Sequence, residues 1–296
     1  MICARTKKTT GGSSGIGLAT AELLLKNGAA VVIGDLNPPA ISHPSLTFHR
    51  TDVTSWSDLS TLFKEAKKSH STINHVFANA GITGRADYLA EDLDEQGDLL
   101  EPSFLNFDIN LKAVVNTVTL AIHHMRHQPN GGDVVMTGSA SSFQPLVSPD
   151  YTSSKHGVLG FMRGLKCSLQ LSGIPIRLNT IVPTWTETAL FPREMITSAG
   201  GAIQTAADVA PSAALLMADA TRTGQVIYAE EARLWEIEEA LLLPTALSVR
   251  IPGTQTLDET LSKAIKVIEA AAAEQASQGS ADGQSQALKV NLVSFN

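Results

Sequence analysis

The chain has few cysteines, few basic residues and no long apolar run, and each shortage excludes a class of protein. Its two cysteines, Cys3 and Cys167, are too few for a disulfide framework and too far apart for a zinc site, so we expect no metal. The 29 acidic residues outnumber the 22 basic ones, and the net charge of −7 provides no basic surface for nucleic acid or an anionic membrane.

The sequence also shows no segment of the kind that directs a chain to or across a membrane. No apolar run approaches the ~20 residues of a membrane-spanning helix. The first ten residues contain an arginine and two lysines where a secretory peptide needs an apolar stretch. We therefore expect a cytoplasmic protein with no nucleic-acid or membrane partner.

Apolar runs of strand length alternate with helix-length segments along most of the 296 residues. A helical pattern over Ile16–Asn27, ended by Gly28, is typical of the segments between them. The alternation predicts an α/β fold, a doubly wound parallel sheet with helices on both faces. The predicted strands are Val31–Asp35, Thr47–His49, His75–Ala78, Asp133–Thr137, Ile176–Val182 and Gln225–Ala229.

The composition predicts one domain over residues 1–243 and a C-terminal extension over 244–296. Within the extension we expect an amphipathic helix at Leu257–Ala276, a linker at Ser277–Gln286 and a short apolar tail at Ala287–Asn296. A partly disordered extension is the simplest interpretation, and a dimer contact or substrate lid is the alternative. Inside the domain, the acidic segment Arg85–Pro102 is predicted to be a solvated excursion and Glu187–Asp208 a mobile flap.

A glycine-rich turn, TGGSSGIG at Thr10–Gly17, follows the position of the first strand and opens a helix. Glycines here let the backbone approach a pyrophosphate, which the helix N-terminus attracts. A flexible turn without a ligand is the alternative. The candidate cofactor-binding residues of this turn are Gly11, Ser14, Gly15, Ile16 and Gly17.

Asp35 ends the second strand, eighteen residues beyond Gly17. A carboxylate there can accept hydrogen bonds from ribose hydroxyls and repel a 2′-phosphate. Its neighbours Leu36 and Asn37 supply no cation for such a phosphate, so NAD is favoured over NADP, which is not excluded. The alternative is that Asp35 only caps the strand end.

Other small or polar residues follow later strands, at the edge where ligands of parallel sheets bind. They are predicted to contact the adenine ring, the backbone of the dinucleotide and the nicotinamide carboxamide, although each also suits an ordinary loop. In chain order they are Asp52, Val53, Asn79, Ala80, Gly81, Pro183 and Thr188.

Tyr151 and Lys155 are four residues apart in YTSSK, so they share one face of a predicted helix. An ammonium about 4 Å from the phenol, at an effective dielectric of ~20, stabilises the phenolate by about 4 kcal/mol. The pKa of Tyr151 would then fall far enough for acid–base catalysis near neutral pH. A solvated tyrosine–lysine pair is the alternative.

Ser139 ends the fifth strand, twelve residues before Tyr151, and its hydroxyl could bind a substrate oxygen as charge develops there. Ser141 and Ser142 are competing candidates. Asn110 lies within a helical segment, where asparagine is disfavoured. It could hold a water that connects Lys155 to solvent, or it could be a surface residue.

In order and spacing these motifs resemble the short-chain dehydrogenase/reductase family over about residues 9–240. YTSSKHGVLGF and GQVIYAEEARLWEIEEAL are similar to 15-hydroxyprostaglandin-dehydrogenase-like members, including filamentous-fungal enzymes of secondary metabolism. The resemblance implies a Rossmann-type fold with seven parallel strands, and dimers or tetramers. It also implies Tyr151 as acid/base, Lys155 as its activator and a ribose ligand, Ser139 as partner of the substrate oxygen and Asn110 as water holder.

The chain departs from the family pattern at two places. Cys3–Thr9 replaces an apolar first strand, and burial of Lys7 and Lys8 there would carry a desolvation cost of several kcal/mol each. Either the strand is short and its lysines reach water, or the native N-terminus differs. Thr184 stands where the family generally has a glycine after Pro183.

Together these features predict hydride transfer between a nicotinamide cofactor and a secondary alcohol or ketone of a small, largely apolar metabolite. A redox-inactive cofactor-binding scaffold, a catalyst of non-redox cyclisation, and a damaged gene product are the alternatives. The expected pocket walls are Phe143, Gln144, Trp185, Leu190, Phe191 and Met195.

Overall fold

The computed structural model describes residues 2–4, 6–84, 86–251, 253–256, 259–268 and 270. The strands are β1 (Ile2–Ala4), β2 (Thr6–Thr10), β3 (Ala30–Asp35), β4 (Leu46–Arg50), β5 (His75–Ala78), β6 (Gly132–Thr137), β7 (Ile176–Pro183), β8 (Thr186–Glu187), β9 (Gln204–Thr205), β10 (Val226–Glu230) and β11 (Arg233–Glu236). The helices are α1 (Gly15–Lys26), α2 (Trp56–His70), α3 (Leu105–Phe107), α4 (Ala113–Met125), α5 (Pro149–Leu171), α6 (Arg193–Thr197), α7 (Ala206–Ala218) and α8 (Leu243–Ser248). The structure also has two π-helical turns, Asp108–Lys112 and Glu238–Leu242, and a 3₁₀ turn, Ala140–Ser142.

The chain divides into two compact units, Met1–Pro244 and Thr245–Asn296. In the second unit residues 259–268 are helical and lie within the helix predicted over 257–276. The predicted linker and tail lie outside the described residues. Over the described part of the chain, no helix combines the length and apolar character needed to span a membrane.

The large sheet has the order β11-β10-β7-β6-β5-β1-β2-β3-β4, with β2 also paired to β5. Seven strands of this sheet, β2 to β7 and β10, pair with one another in parallel in the described part of the unit. The predicted doubly wound parallel sheet is therefore confirmed. The antiparallel strands β1 and β11 were not expected from the sequence.

The polar N-terminal segment does form the expected first strand. Backbone pairs join β2 to β5 in parallel, from Lys7 opposite His75 to Thr10 opposite Ala78. The side chains of Lys7 and Lys8, on which the expected desolvation cost depends, lie outside the described residues. The preceding strand β1 runs antiparallel to β2.

Successive residues of the central strands point to opposite faces, and each face packs against its own helices. On β5, Val76 belongs to the core cluster that contains residues of α2, α4 and α5, such as Phe63, Val118 and Met162. The next residue, Phe77, belongs to the cluster that contains residues of α1 and α7. Because both faces are covered, the strands are near-continuously apolar, as the sequence pattern indicated.

The two segments that interrupt the strand–helix alternation have different structures. The described residues 86–102 of the acidic segment are mostly exposed, which confirms a solvated excursion. The predicted flap contains α6, and its ends are joined by the two-stranded sheet of β8 and β9. A guanidinium–carboxylate pair, Arg193 to Glu187 at 2.6 Å, connects α6 to β8.

A buried carboxylate joins three strands at the edge of the sheet opposite to their carboxyl ends. Asp133, at the start of β6, is 1% exposed. Its oxygens lie 3.4 Å from His75 Nδ1, 3.3 Å from Arg177 Nη1 and 3.4 Å from Asn179 Nδ2. Arg177 also donates hydrogen bonds to three main-chain carbonyls around the end of α7, so one buried cluster fixes this helix to the sheet.

Asp133→Asn should destabilise the protein by about 2 to 3 kcal/mol, because the Arg177 guanidinium loses its buried counter-charge while it stays partly desolvated. Urea denaturation followed by circular dichroism measures the change. Asp108→Asn is the matched control, since its pair with Lys112 is exposed and should change stability by no more than about 0.5 kcal/mol. Equal stability of the two variants would contradict a role for Asp133 in fixing the fold.

Candidate active site

One cavity of about 360 Å³ lies at the carboxyl edge of the sheet, beyond the ends of β2, β5, β6, β7 and β10. Most of the residues that the sequence analysis singled out line it. They are Gly11, Ser14, Gly15, Ile16, Asn79, Ala80, Gly81, Ser139, Tyr151, Lys155, Pro183 and Thr188.

The glycine turn packs so closely that side chains are excluded at its glycines. The first of them, Gly11, has a φ of +66°, and a Cβ there would lie 2.7 Å from the Cα of Ala80. A Cβ on Gly17 would lie 1.9 Å from the carbonyl oxygen of Gly11. A Cβ on Gly15 would lie 2.9 Å from Cγ2 of Thr188, which brings the loop after β7 against the turn. The start of α1 therefore lies directly against the backbone of the turn.

Four of the other candidate residues, Gly17, Asp35, Asp52 and Val53, do not line the cavity. Gly17 is buried beneath the turn. The carboxylate of Asp35 accepts a hydrogen bond from the backbone N–H of Ser13 at 3.1 Å, so it reaches the glycine turn. Asp52 accepts hydrogen bonds from the backbone and hydroxyl of Thr54, while Val53 packs against the core.

Helix α5 brings Tyr151 and Lys155 to the cavity. Tyr151 is 8% exposed, and burial raises the pKa of its phenol, while a hydrogen bond with the Ser139 side chain acts in the opposite direction. Nζ of Lys155 lies 5.6 Å from the centre of the Tyr151 ring and donates a hydrogen bond to the Thr137 carbonyl at 2.9 Å. Burial lowers the pKa of Lys155 to about 8.

The effect that dominates the pKa of Tyr151 differs from the one that the sequence predicted. The sequence analysis predicted that Lys155 lowers the pKa of Tyr151, whereas burial is the largest influence on Tyr151 and raises its pKa. The reason is that both groups lose water together, and a low-dielectric site disfavours the charged form of each. The amine also bonds a carbonyl of β6, with its nitrogen beneath the tyrosine ring.

The three serines after β6 have different partners. Ser142 donates a hydrogen bond to the Lys155 carbonyl at 2.8 Å and accepts one from the backbone N–H of Ser139 at 3.1 Å, so it holds the loop against α5. Ser139 is the serine that bonds the Tyr151 side chain. Ser141 lines the cavity, and its hydroxyl has no hydrogen-bond partner among the described residues. Of the competing serines, Ser139 is thus the one placed beside the tyrosine.

Asn110 is fully buried in the π-helical turn, so the alternative of a surface asparagine is wrong. Its side chain accepts a hydrogen bond from Ile82 N at 2.8 Å and donates one to Ile82 O at 2.9 Å, which fixes the loop after β5. A Cβ on Gly81 would lie 3.2 Å from Asn110 Oδ1 and 3.6 Å from Lys155 Nζ. Asn110 and Lys155 therefore approach the same glycine.

A second buried asparagine supports the first and was missed from the sequence. Asn106 accepts hydrogen bonds from Asn110 Nδ2 at 3.1 Å and from Ser154 Oγ at 2.8 Å. It also donates one to the Thr83 carbonyl at 3.0 Å. Its spacing of four residues from Asn110, on one helix face, was the available signal.

The rest of the wall is largely apolar. Of the expected wall residues, Gln144, Trp185, Leu190 and Phe191 line the cavity, and the rings of Trp185 and Phe191 meet edge to face at 5.0 Å. The other two expectations are not met. Phe143 packs against the core and the ring of Tyr228, and Met195 is 52% exposed.

Two polar wall residues, Tyr228 and Glu230 on β10, were also missed from the sequence. Tyr228 lies in a predicted strand and both residues lie in the segment GQVIYAEEARLWEIEEAL that carries the family resemblance, but the sequence analysis assigned no role to either. Over the described residues there is no group of three or more histidine, cysteine, aspartate or glutamate side chains that could hold a metal ion.

The arrangement can perform acid–base chemistry on an oxygen atom. Tyr151 offers an ionisable phenol, Ser139 a second hydroxyl beside it, and Lys155 an amine below the ring. The glycine turn and the N-terminus of α1 offer backbone N–H groups to an anion at the same edge.

Known proteins resemble the chain in both sequence and fold. It is 47% identical over 267 residues to the short-chain dehydrogenase/reductase ascJ of Acremonium egyptiacum, with 88% of this chain and 90% of that protein covered. It is 38% identical over 245 residues to the short-chain dehydrogenase/reductase ATR7 of Stachybotrys chlorohalonatus, with 81% and 73% covered.

A solved structure of 3-ketoacyl-(acyl-carrier-protein) reductase from Brucella melitensis, complexed with NADH, has the same fold. The TM-score is 0.65 at 20% identity, with 76% of this chain and 96% of that chain covered, and a likeness at this identity supports the fold alone. Residues 8–197 match the family described as short chain dehydrogenase. The prediction from the motifs is confirmed, and the chain belongs to the short-chain dehydrogenase/reductase family.

Proposed function

We propose that the protein is an NAD-dependent oxidoreductase that interconverts a secondary alcohol and a ketone on a small, largely apolar metabolite. The observation that carries the proposal is that Ser139, Tyr151 and Lys155 line one cavity with the glycine turn. Membership of a dehydrogenase family, with relatives in fungi, supports oxidoreductase activity and a place in secondary metabolism.

The residues at the carboxyl edge fit a dinucleotide. Gly11, Ser14, Gly15 and Ile16 of the glycine turn line the cavity, and the first turn of α1 contains no acidic residue that would repel a pyrophosphate. Ser13 has a buried hydroxyl with no hydrogen-bond partner among the described residues, in the same turn. Gly11 to Gly17 would hold the pyrophosphate, Asn79 to Gly81 the chain between it and the nicotinamide, and Thr188 the carboxamide.

Asp35 favours NAD over NADP. Its carboxylate lies at the glycine turn, bonded to the backbone N–H of Ser13, where it would accept hydrogen bonds from ribose hydroxyls and repel a 2′-phosphate. Asp52 and Val53 follow β4, beside this site, and would border the adenine.

In the oxidative direction the phenolate of Tyr151 takes the hydroxyl proton of the alcohol. NAD, when bound, supplies the carbon that accepts the hydride. Ser139 donates a hydrogen bond to the substrate oxygen, and Lys155 favours the phenolate and holds the ribose. Asn110 keeps the loop beside Lys155 in place and would order a water that exchanges the proton with solvent. In reduction Tyr151 donates the proton to the oxygen.

Gly17→Ala should weaken NAD binding by at least about tenfold, because the new methyl group would displace the turn that faces the pyrophosphate. Isothermal titration calorimetry with NAD measures the change. Gly160→Ala on α5 is the control, since no atom other than those of the adjacent helix backbone and the two neighbouring residues lies within 4 Å of its Cβ position. The control should bind NAD normally and be more stable by about 1 kcal/mol. Normal binding by folded Gly17→Ala would contradict this assignment of the turn.

Tyr151→Phe should reduce alcohol oxidation by roughly a hundredfold or more, because the acid/base is lost. NADH formation at 340 nm with a panel of secondary alcohols measures turnover, and calorimetry should still detect NAD binding. Tyr88→Phe is the control, because Tyr88 lies on the exposed excursion. Turnover retained by Tyr151→Phe would remove the proposed mechanism.

Lys155→Met should move the pH profile of alcohol oxidation to higher pH. Tyr151 acts as the base, so activity is lost as the pH falls below the pKa of its phenol, and removal of a nearby cation raises that pKa. Burial lowers the pKa of Lys155 to about 8, so the difference between wild type and variant should shrink above that pH. Profiles of kcat/KM from pH 6 to 10 measure the change.

The matched control is Lys166→Met, on the same helix and outside the cavity lining. It should leave the profile in place. If kcat/KM rises at the same pH in wild type and in Lys155→Met, the Lys155 amine does not control the pKa of the Tyr151 phenol.

A further inference from the structure

We propose that Tyr228 and Glu230 form a second polar anchor in the cavity, which binds a hydroxyl group of the substrate distant from the reacting carbon. This inference deepens the proposed function and rests on it, because it assigns a substrate class to the same site. The class is an apolar skeleton that carries, besides its carbonyl or carbinol, a hydrogen-bond-donating hydroxyl group.

The pair is a preformed hydrogen-bond acceptor on an otherwise apolar wall. Tyr228 donates a hydrogen bond from its phenol to Glu230 Oε1 at 3.2 Å, and both residues line the cavity. Among the described residues no cationic side chain forms an ion pair with Glu230. The carboxylate therefore retains capacity to accept a hydrogen bond from a ligand, in a part of the cavity that the proposed hydride transfer does not use.

The position of the pair fits the far end of a substrate. Strand β10 pairs with β7, with Ala229 opposite Pro183, and β7 pairs with β6, with Ile181 opposite Thr137. Two strand spacings of about 4.8 Å, or about 10 Å in all, therefore separate β10 from β6, whose last residue lies two positions before Ser139. A substrate oxygen at Ser139 and a hydroxyl at Glu230 would thus be separated by about the length of a bicyclic skeleton.

The neighbouring structure holds both side chains in place. The ring of Tyr228 lies between Phe143 and Trp235, with centroids 6.0 and 5.9 Å away. Glu230 is the last residue of β10, before a tight turn to β11 in which Glu231 and Ala232 have φ values of +48° and +60°. Residues other than glycine rarely adopt this conformation.

A hydroxyl group is the ligand that this environment favours. A carboxylate accepts a hydrogen bond from a neutral donor with charge assistance. A cation would have to leave water for a cavity walled by Trp185, Leu190 and Phe191, at a much greater desolvation cost than a hydroxyl. A substrate without a donor would leave the carboxylate with only the hydrogen bond from Tyr228 among the described residues and would gain nothing from the anchor.

The test compares two ketones that differ in one donor. Isothermal titration calorimetry measures binding of 6-hydroxy-2-tetralone and 6-methoxy-2-tetralone to the wild-type protein saturated with NAD, in which a ketone cannot react. The hydroxyl compound should bind roughly tenfold more tightly or better, as expected for a hydrogen bond to a charged group. Glu230→Gln should lose most of that preference.

Glu231→Gln is the matched control, because it is a carboxylate of the same hairpin that does not line the cavity. It should keep the preference, and melting temperatures should show that both variants are folded. Equal affinities in the wild type, absence of binding by both ketones, or a preference that survives in Glu230→Gln overturns the proposal.

Failure of this inference is distinguishable from failure of the proposed function. The titrations need no turnover, whereas the proposed function is judged by NADH formation in wild type and Tyr151→Phe. An active enzyme without the preference overturns the anchor alone. A protein with the preference but no turnover on any alcohol overturns the proposed hydride transfer alone.

Discussion

A chain of three hydrogen bonds across the centre of the sheet holds the two halves of the site together. Asn79 donates to the Gly11 carbonyl at 2.8 Å and accepts from the Thr137 hydroxyl at 2.9 Å. The Thr137 carbonyl in turn accepts from Lys155 at 2.9 Å. The glycine turn after β2 is thereby fixed, through the ends of β5 and β6, to the helix that carries Tyr151. The anion binding and proton transfer proposed for the two halves would depend on this common support.

Burial then determines the chemistry at the tyrosine end of that chain. Removal from water disfavours both the phenolate of Tyr151 and the ammonium of Lys155, and their pKa values shift in opposite directions. Both groups respond strongly to any further charge, because the low-dielectric surroundings screen it weakly. Ser139 contributes a hydrogen bond that favours the ionised phenol. The site is therefore balanced by burial and hydrogen bonding, and the cation predicted from the YTSSK spacing is only one part of it.

The sequence was sufficient for the framework and for most of the cavity, because both follow from local patterns. Apolar runs such as that of β6 identify strands that are covered on both faces, and the carboxyl ends of parallel strands meet at one edge. Residues at strand ends, from Gly11 to Thr188, could thus be predicted to converge. Burial of Asn110 could not be predicted, since it depends on a π-helical turn, which has no local signature, and on contacts with the loop after β5.

The cavity wall formed by β10 could not be predicted from the sequence either. Nothing in the sequence of β10 distinguishes Tyr228 and Glu230 from ordinary residues of an outer strand, and only the order of the sheet brings them to the cavity. Thr184, at the expected glycine position, is equally dependent on context. Its N–H and hydroxyl bond the Ala229 carbonyl at the end of the same strand.

These contacts separate the cavity into two parts with different constraints. Beyond β2, β5 and β6 the positions are fixed by close backbone approach, and a single methyl group at Gly17 would collide with the turn. Beyond β7 and β10 the wall consists of side chains, among them Trp185, Phe191 and Tyr228, which can change without displacing the backbone. Substrate choice should therefore depend mainly on the second part, and the carboxylate of Glu230 is the charged group that it contributes.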